Sequence, residues 1–359
     1  MNLRVPGPTP LPSEVRLSLS QDMINHRGPA FEALLPEVSA HLQRFFQTEN
    51  DVLLLTGSGT GGLEAALVNV LSPGDRVLAA SIGAFGDRFA EIARAFGAQV
   101  EKLDFPWGSP QDVAVLERAL RANPDVRVLL TTHNETSTGV MNDLAPVAAL
   151  LRSLGPNRPL WLVDAVSSLG AVDLPMDGWG CDMVISASQK AWMAPPGLAL
   201  MGVGPRVWDA MAHARCPRFY WDLAAARRYA GKGQTPFTPA VSVLYALRAS
   251  LAMMEREGLP AIVARHQCLA VQLREGLKGL GLRLFADEGY ASPTLTAVYV
   301  AEGVSATDAQ RVLREEHNIV VAAGMGSYKE RMLRIAHMGY CSSGDIDQVL
   351  TALRAVLKR

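Results

Sequence analysis

Thr56-Gly57-Ser58-Gly59-Thr60-Gly61-Gly62 follows a short apolar run and opens an apolar helical pattern over 63–71, so it reads as a glycine-rich turn between a strand and a helix. Backbone N–H groups at such a helix start, aided by the hydroxyls of Ser58 and Thr60, make a cradle for phosphate. Gly57, Gly59 and Gly62 also satisfy the G-x-G-x-x-G spacing of dinucleotide-binding folds. That fold requires an acidic residue at the end of the next strand to hold the ribose hydroxyls. Here the next apolar run, 76–80, leads into Ser81-Ile82-Gly83.

Outward from this turn, short apolar runs at 52–55, 76–80, 99–103, 127–132, 160–163, 182–186 and 198–203 alternate with helical patterns at 62–71, 109–121 and 144–154. The alternation predicts an α/β domain built on a mostly parallel seven-stranded sheet. Residues 241–280 read as helix broken at Gly258-Leu259-Pro260, a bend leading into a smaller α/β domain with strands at 294–300 and 332–336 and helices at 306–317 and 344–357. The expected organisation is an N-terminal segment over 1–20 that contributes to the active site, a large domain over 21–257 and a small C-terminal domain over 258–359. With 359 residues, the chain is long enough for two cores.

Composition excludes several function classes. A formal net charge of −1 and a pI near 6.7, with 49% hydrophobic and 19% charged residues, offer no basic field to a nucleic acid. No stretch reaches the roughly 18 unbroken apolar residues of a membrane span, and Met1-Asn2-Leu3-Arg4-Val5-Pro6 lacks the pattern of a signal peptide. A cytoplasmic protein is expected. Cys181, Cys216, Cys268 and Cys341 have no C-x-x-C spacing, which points to reduced thiols rather than a metal site or a disulfide framework.

Two further strand ends carry chemistry. Leu160-Trp161-Leu162-Val163-Asp164 ends in a carboxylate, and Ile185-Ser186-Ala187-Ser188-Gln189-Lys190 leads to a lysine in uncharged surroundings. Carboxyl ends of parallel strands form the ligand crevice of an open sheet. Desolvation lowers a lysine's pKa and exposes the neutral amine that imine chemistry requires. A strand-end Asp taken alone is as readily a helix cap, and a Lys taken alone a solvated charge. Together with the phosphate cradle they match the needs of pyridoxal phosphate (PLP): an anchor for the phosphate, an acid for the ring nitrogen and an amine for the aldehyde.

The order of motifs resembles the class-V, fold-type I aminotransferases, in particular the alanine–glyoxylate and serine–glyoxylate branch. The likeness runs over nearly the whole chain, from Pro6-Gly7-Pro8-Thr9 through Gly57-Ser58-Gly59-Thr60, Thr132-His133-Asn134-Glu135-Thr136-Ser137-Thr138-Gly139, Val163-Asp164-Ala165-Val166 and Ser188-Gln189-Lys190-Ala191 to Leu333-Arg334-Ile335. It implies that Ser58, Gly59 and Thr60 hold the phosphate, that Asp164 pairs with the pyridine nitrogen and that Lys190 binds the cofactor as a Schiff base. It further implies that Thr136 reaches the phenolic oxygen, Val166 packs on the ring, Gln189 lies beside the phosphate, and Phe85 stands where the family often stacks a tryptophan. Arg334 matches the arginine that binds the substrate α-carboxylate. His26-Arg27-Gly28 resembles a segment bordering the substrate pocket, which gives Arg27 a part in side-chain selection. Thr238 matches a threonine on a loop that crosses to the neighbouring subunit's phosphate, and Thr235 stands where some members have tyrosine. The implied unit is a homodimer that moves an amino group from a small amino acid to a 2-oxo acid by a ping-pong route. The alternatives are another PLP reaction on this fold, such as a cysteine desulfurase or a lyase, and a noncatalytic nucleotide-binding protein.

Overall fold

The computed structural model describes Met1–Leu357. All seven apolar runs of the first two thirds become strands of one sheet, in the order Asp51–Gly57, Gly197–Val203, Met183–Ala187, Leu160–Asp164, Val128–Thr132, Arg76–Ser81, Gln99–Asp104. Only Gly197–Val203 runs against the others, pairing antiparallel with both neighbours. The remaining pairings are parallel. Buried apolar residues on both faces, such as Leu78, Leu129 and Trp161 on one side and Val77, Leu130 and Leu162 on the other, pack into two separate clusters under helices. A sheet covered on both sides needs continuously apolar strands, which is how these runs read.

The glycine-rich helix is Gly59–Val70, beginning three residues before the expected start because Ser58 caps it, its Oγ accepting from Gly61 N at 3.2 Å. A Cβ on Gly62 would lie 2.9 Å from Ile185 Cγ2 and 3.0 Å from Ala199 Cβ, so glycine lets this helix lie directly on the sheet. The helix expected from 109 instead spans Val113–Ala122, because Asp112 is its N-cap and accepts from Ala114 N.

The predicted break at 258–260 separates the helices Val241–Glu257 and Leu259–Gly279. Beyond it lies a four-stranded sheet in the order Asn2–Arg4, Ile319–Ala323, Met332–Ala336, Leu295–Tyr299. Its first strand comes from the amino terminus, where Asn2 pairs in parallel with Ile319. The chain therefore starts in the small sheet, passes the large one at residues 6–9 and only then enters it. Strands Asn2–Arg4 and Ile319–Ala323 and helices Pro29–Phe46 and Ala84–Ala95 were not anticipated from the sequence. Among the described residues no helix is long and apolar enough to cross a membrane.

Candidate active site

The carboxyl ends of the parallel strands converge on a cavity of about 190 Å³. Ser58, Gly59, Thr60, Phe85, Thr136, Asp164, Val166, Gln189 and Lys190 all line it, so the structure brings nine of the expected site residues together. The strand–turn–helix at Ser58 presents the amides of the first turn, which a helix start leaves without intrahelical partners. Among the described residues its preceding strand pairs only with the antiparallel Gly197–Val203, at the sheet edge. A dinucleotide fold places its glycine turn after a central parallel strand, and the G-x-G-x-x-G match is not of that kind.

Asp164 ends its strand almost wholly buried, with Oδ1 accepting from Val166 N at 3.0 Å. Burial pushes its carboxyl up to about 7, with the Val166 amide pulling down, nearby Glu135 pushing up, and Lys190 and Arg88 pulling down. Lys190 is half-buried, and desolvation lowers its amine to about 8 against the opposing pull of Asp164; Arg334 and Arg88 lower it further. The Lys190 Nζ donates to Pro6 O, and Thr9 Oγ1 donates to Lys190 O at 2.9 Å. Residues 6–9 thus strap the lysine turn from the amino terminus.

Two residues that sequence reasoning did not single out shape the cavity. Glu135 is fully buried and accepts from the amides of Phe85 and Gly86 at 3.0 and 3.1 Å and from both the amide and the hydroxyl of Ser137. A carboxylate at a helix start satisfies orphan amides and complements the dipole, and this one sets Phe85 at the cavity wall. The approach is so close that a Cβ on Gly83 would stand 2.5 Å from Glu135 Cγ. Arg88 lines the cavity with its guanidinium 4.8 Å from the centre of the Phe85 ring. Glu135 lies within the quoted Thr132–Gly139 motif, but no local spacing reveals a contact across 50 residues of chain.

Arg334 stands beside the cavity on Met332–Ala336. Its Nε donates to Ala323 O at 2.7 Å and Nη1 to Thr136 O at 2.9 Å, tying the small sheet to the Thr136 turn. Thr238 and Arg27 are not in this cavity. Thr238 is exposed on the loop 235–239, and Arg27 bonds the same loop. Thr235 Oγ1 donates to Phe237 O at 2.7 Å. Cys341, the thiol nearest Arg334 in sequence, is buried and its pKa is pushed up to about 11 by desolvation, the opposite of what an exposed nucleophile needs.

A family model described as aminotransferase class-V matches residues 16–349. The chain belongs to the class-V aminotransferase family. The alanine–glyoxylate aminotransferase structure from Nostoc sp. is similar at a TM-score of 0.95 and 34% identity, covering 99% of this chain and 94% of that one. An L-aspartate–glyoxylate aminotransferase of Paracoccus denitrificans (strain Pd 1222) is 37% identical, covering 93% of this chain and 85% of its own. A protein named soluble hydrogenase, small subunit, from Synechococcus sp. (strain PCC 6716) is 42% identical, covering 99% and 92%. The molecule is a fold-type I, PLP-dependent aminotransferase. PLP fits what this class-V cavity offers: a helix start for an anion, a buried acid and a desolvated amine. Two buried side-chain oxygens that line it, Asn134 Oδ1 and Gln189 Oε1, have no hydrogen-bond partner among the described residues, so polar capacity is left for a ligand.

Proposed function

We propose that this aminotransferase moves the amino group of a small amino acid, such as alanine or serine, to a 2-oxo acid such as glyoxylate or pyruvate, with Lys190 as the cofactor-binding and proton-transferring residue. The observation that supports this best is the meeting of the Lys190 amine, the Asp164 carboxylate and the Ser58 helix start on one cavity. Bound there, PLP would supply an aldehyde to carry the amino group and a ring nitrogen to draw electron density from the substrate Cα. Ser58, Gly59 and Thr60 would hold its phosphate, with Gln189 beside it. Asp164 would face the ring nitrogen; a cation there favours the ionised carboxylate over the neutral form that burial favours. Thr136 would donate to the phenolic oxygen, while Phe85 and Val166 pack on the ring. Lys190, its amine lowered to about 8 by burial, would be the group that moves the proton at the substrate Cα. Arg334 would bind the α-carboxylate with Nη2, the one guanidinium nitrogen that does not donate to another of the described residues.

Glyoxylate as acceptor is supported by the names of the Nostoc and Paracoccus proteins; the hydrogenase name stays with the Synechococcus relative. Arg27 belongs to the loop rather than to side-chain selection, given its contacts. The proposed functional unit is a homodimer in which Thr238 of one protomer reaches the phosphate site of its partner. Its support is an exposed aromatic face beside the loop. Phe219 is 80% and Tyr220 44% exposed, and Phe237 stacks on Tyr220 with 5.0 Å between ring centres; such faces mark protein contacts. Free thiols at all four cysteines support the cytoplasm as its compartment. The test mixes the PLP-loaded protein with single amino acids and follows loss of its visible absorption in one turnover. Rapid loss with a small donor is expected. No loss with any amino acid would end the reading.

A further inference from the structure

Arg27 spends its guanidinium on one loop. It donates to Gln234 Oε1 at 3.2 Å, to Thr235 O and to Pro236 O at 3.0 Å, and lies 5.4 Å from the centre of the Tyr229 ring. Prolines at 236 and 239 remove two N–H donors from this stretch, so it cannot close a ladder on itself. A planar fork with five donors can satisfy adjacent carbonyls at fixed spacing. The arginine is itself well founded. Its amide donates to Asn25 Oδ1 at 2.9 Å, and two residues later begins the helix Pro29–Phe46, whose Phe31, Leu34, Val38 and Leu42 are buried in the large core. Among the described residues Arg27 forms no ion pair. Glu32, one turn into the helix, instead accepts from Gln234 Nε2 at 2.8 Å. The charge of Arg27 is therefore left uncompensated next to a loop whose outermost threonine, Thr238, is exposed and has no side-chain hydrogen bond among the described residues.

We propose that Arg27 is a positioning residue that holds the 234–238 loop in the shape in which it grips the cofactor phosphate of a second copy of this chain. The inference rests on the homodimer reading of Thr238. It assigns the His26-Arg27-Gly28 motif to the partner's site, through the loop, rather than to the substrate pocket of its own subunit.

The test titrates cofactor-free protein with PLP and, in parallel, with pyridoxal, which lacks the phosphate. Arg27→Ala should weaken PLP binding roughly tenfold or more, as expected for a lost charge-assisted contact, while leaving pyridoxal binding and Tm unchanged. Arg27→Lys should recover part of the loss. Thr238→Ala should show the same selective loss. If Thr238→Ala binds PLP normally, the loop reading falls and the inference with it. If Thr238→Ala is weakened and Arg27→Ala is not, the inference alone falls. A mixed dimer of Arg27→Ala and Lys190→Ala subunits separates the two directions of action. Its Arg27→Ala subunit keeps Lys190 and receives an intact loop, so borohydride should fix PLP to that lysine at concentrations that suffice for the parent protein. Failure to label it would mean that Arg27 acts within its own subunit, which overturns the proposal.

Discussion

Asp164 is held in a place that suits a bound cation better than it suits the cofactor-free protein. Its carboxyl is pushed up to about 7 by burial, whereas an unfolded Asp titrates near ~3.9. The folded protein therefore keeps a proton that the unfolded chain releases, and the stability linked to this group is full below about pH 4 and lost as pH rises through 7. Asp164→Asn removes the penalty but keeps an oxygen for the Val166 amide. The cofactor-free variant should melt above the parent at pH 8, by on the order of 2–4 kcal/mol, and with it at about pH 4; a Tm difference that does not change with pH would refute the account. Arg334, proposed to bind the substrate carboxylate, also ties Thr136 to Ala323. Arg334→Ala should cost both half-reactions roughly 2–5 kcal/mol in kcat/KM, and Arg334→Lys should recover only part because an ammonium lacks the planar fork. Amines without a carboxylate provide the control: equal losses for them and for amino acids would make the arginine structural.

At the scale of elements, the helix Gly59–Val70 begins at the proposed phosphate cradle, and its distance from the sheet sets where its first turn lies. Gly62→Ala would drive a methyl group into Ile185 and Ala199. Overpacking of this kind costs roughly 1–3 kcal/mol, readable in urea denaturation. The same shift should loosen PLP, because the Ser58 turn moves with the helix. A variant with parental stability and parental PLP affinity would mean that the helix has room to move off the sheet. The start of Ala84–Ala95 is fixed differently, by the buried Glu135 and not by a residue of its own turn.

Across the whole molecule, residues 1–9 join the two sheets, pairing with Ile319 at one end and bonding the Lys190 turn at the other. The exposed aromatic face at Phe219, Tyr220 and Phe237 is the other large-scale feature. Phe219→Asp should leave the fold of the protomer unchanged, since the side chain is exposed; on the proposed homodimer it should shift sedimentation towards monomer and reduce PLP affinity with it. Retention of the dimer would place the interface elsewhere on the surface.

Much of this protein was written locally. The seven strands were legible because a sheet covered on both faces requires unbroken apolar runs, and the ends of those runs named Ser58, Asp164 and Lys190. Ser58 capping and the 258–260 break are equally local. The sequence could not show that Asn2–Arg4 completes the far sheet, because three residues carry no periodicity and gain their pairing from a strand more than 300 residues on. Nor could it show that Glu135 anchors the Phe85 helix or that Arg27 serves the carbonyls of Thr235 and Pro236. Local patterning reports which face of an element is buried; which distant backbone a single carboxylate or guanidinium satisfies is settled only when the elements pack, because desolvation makes an unpaired charge or amide costly there.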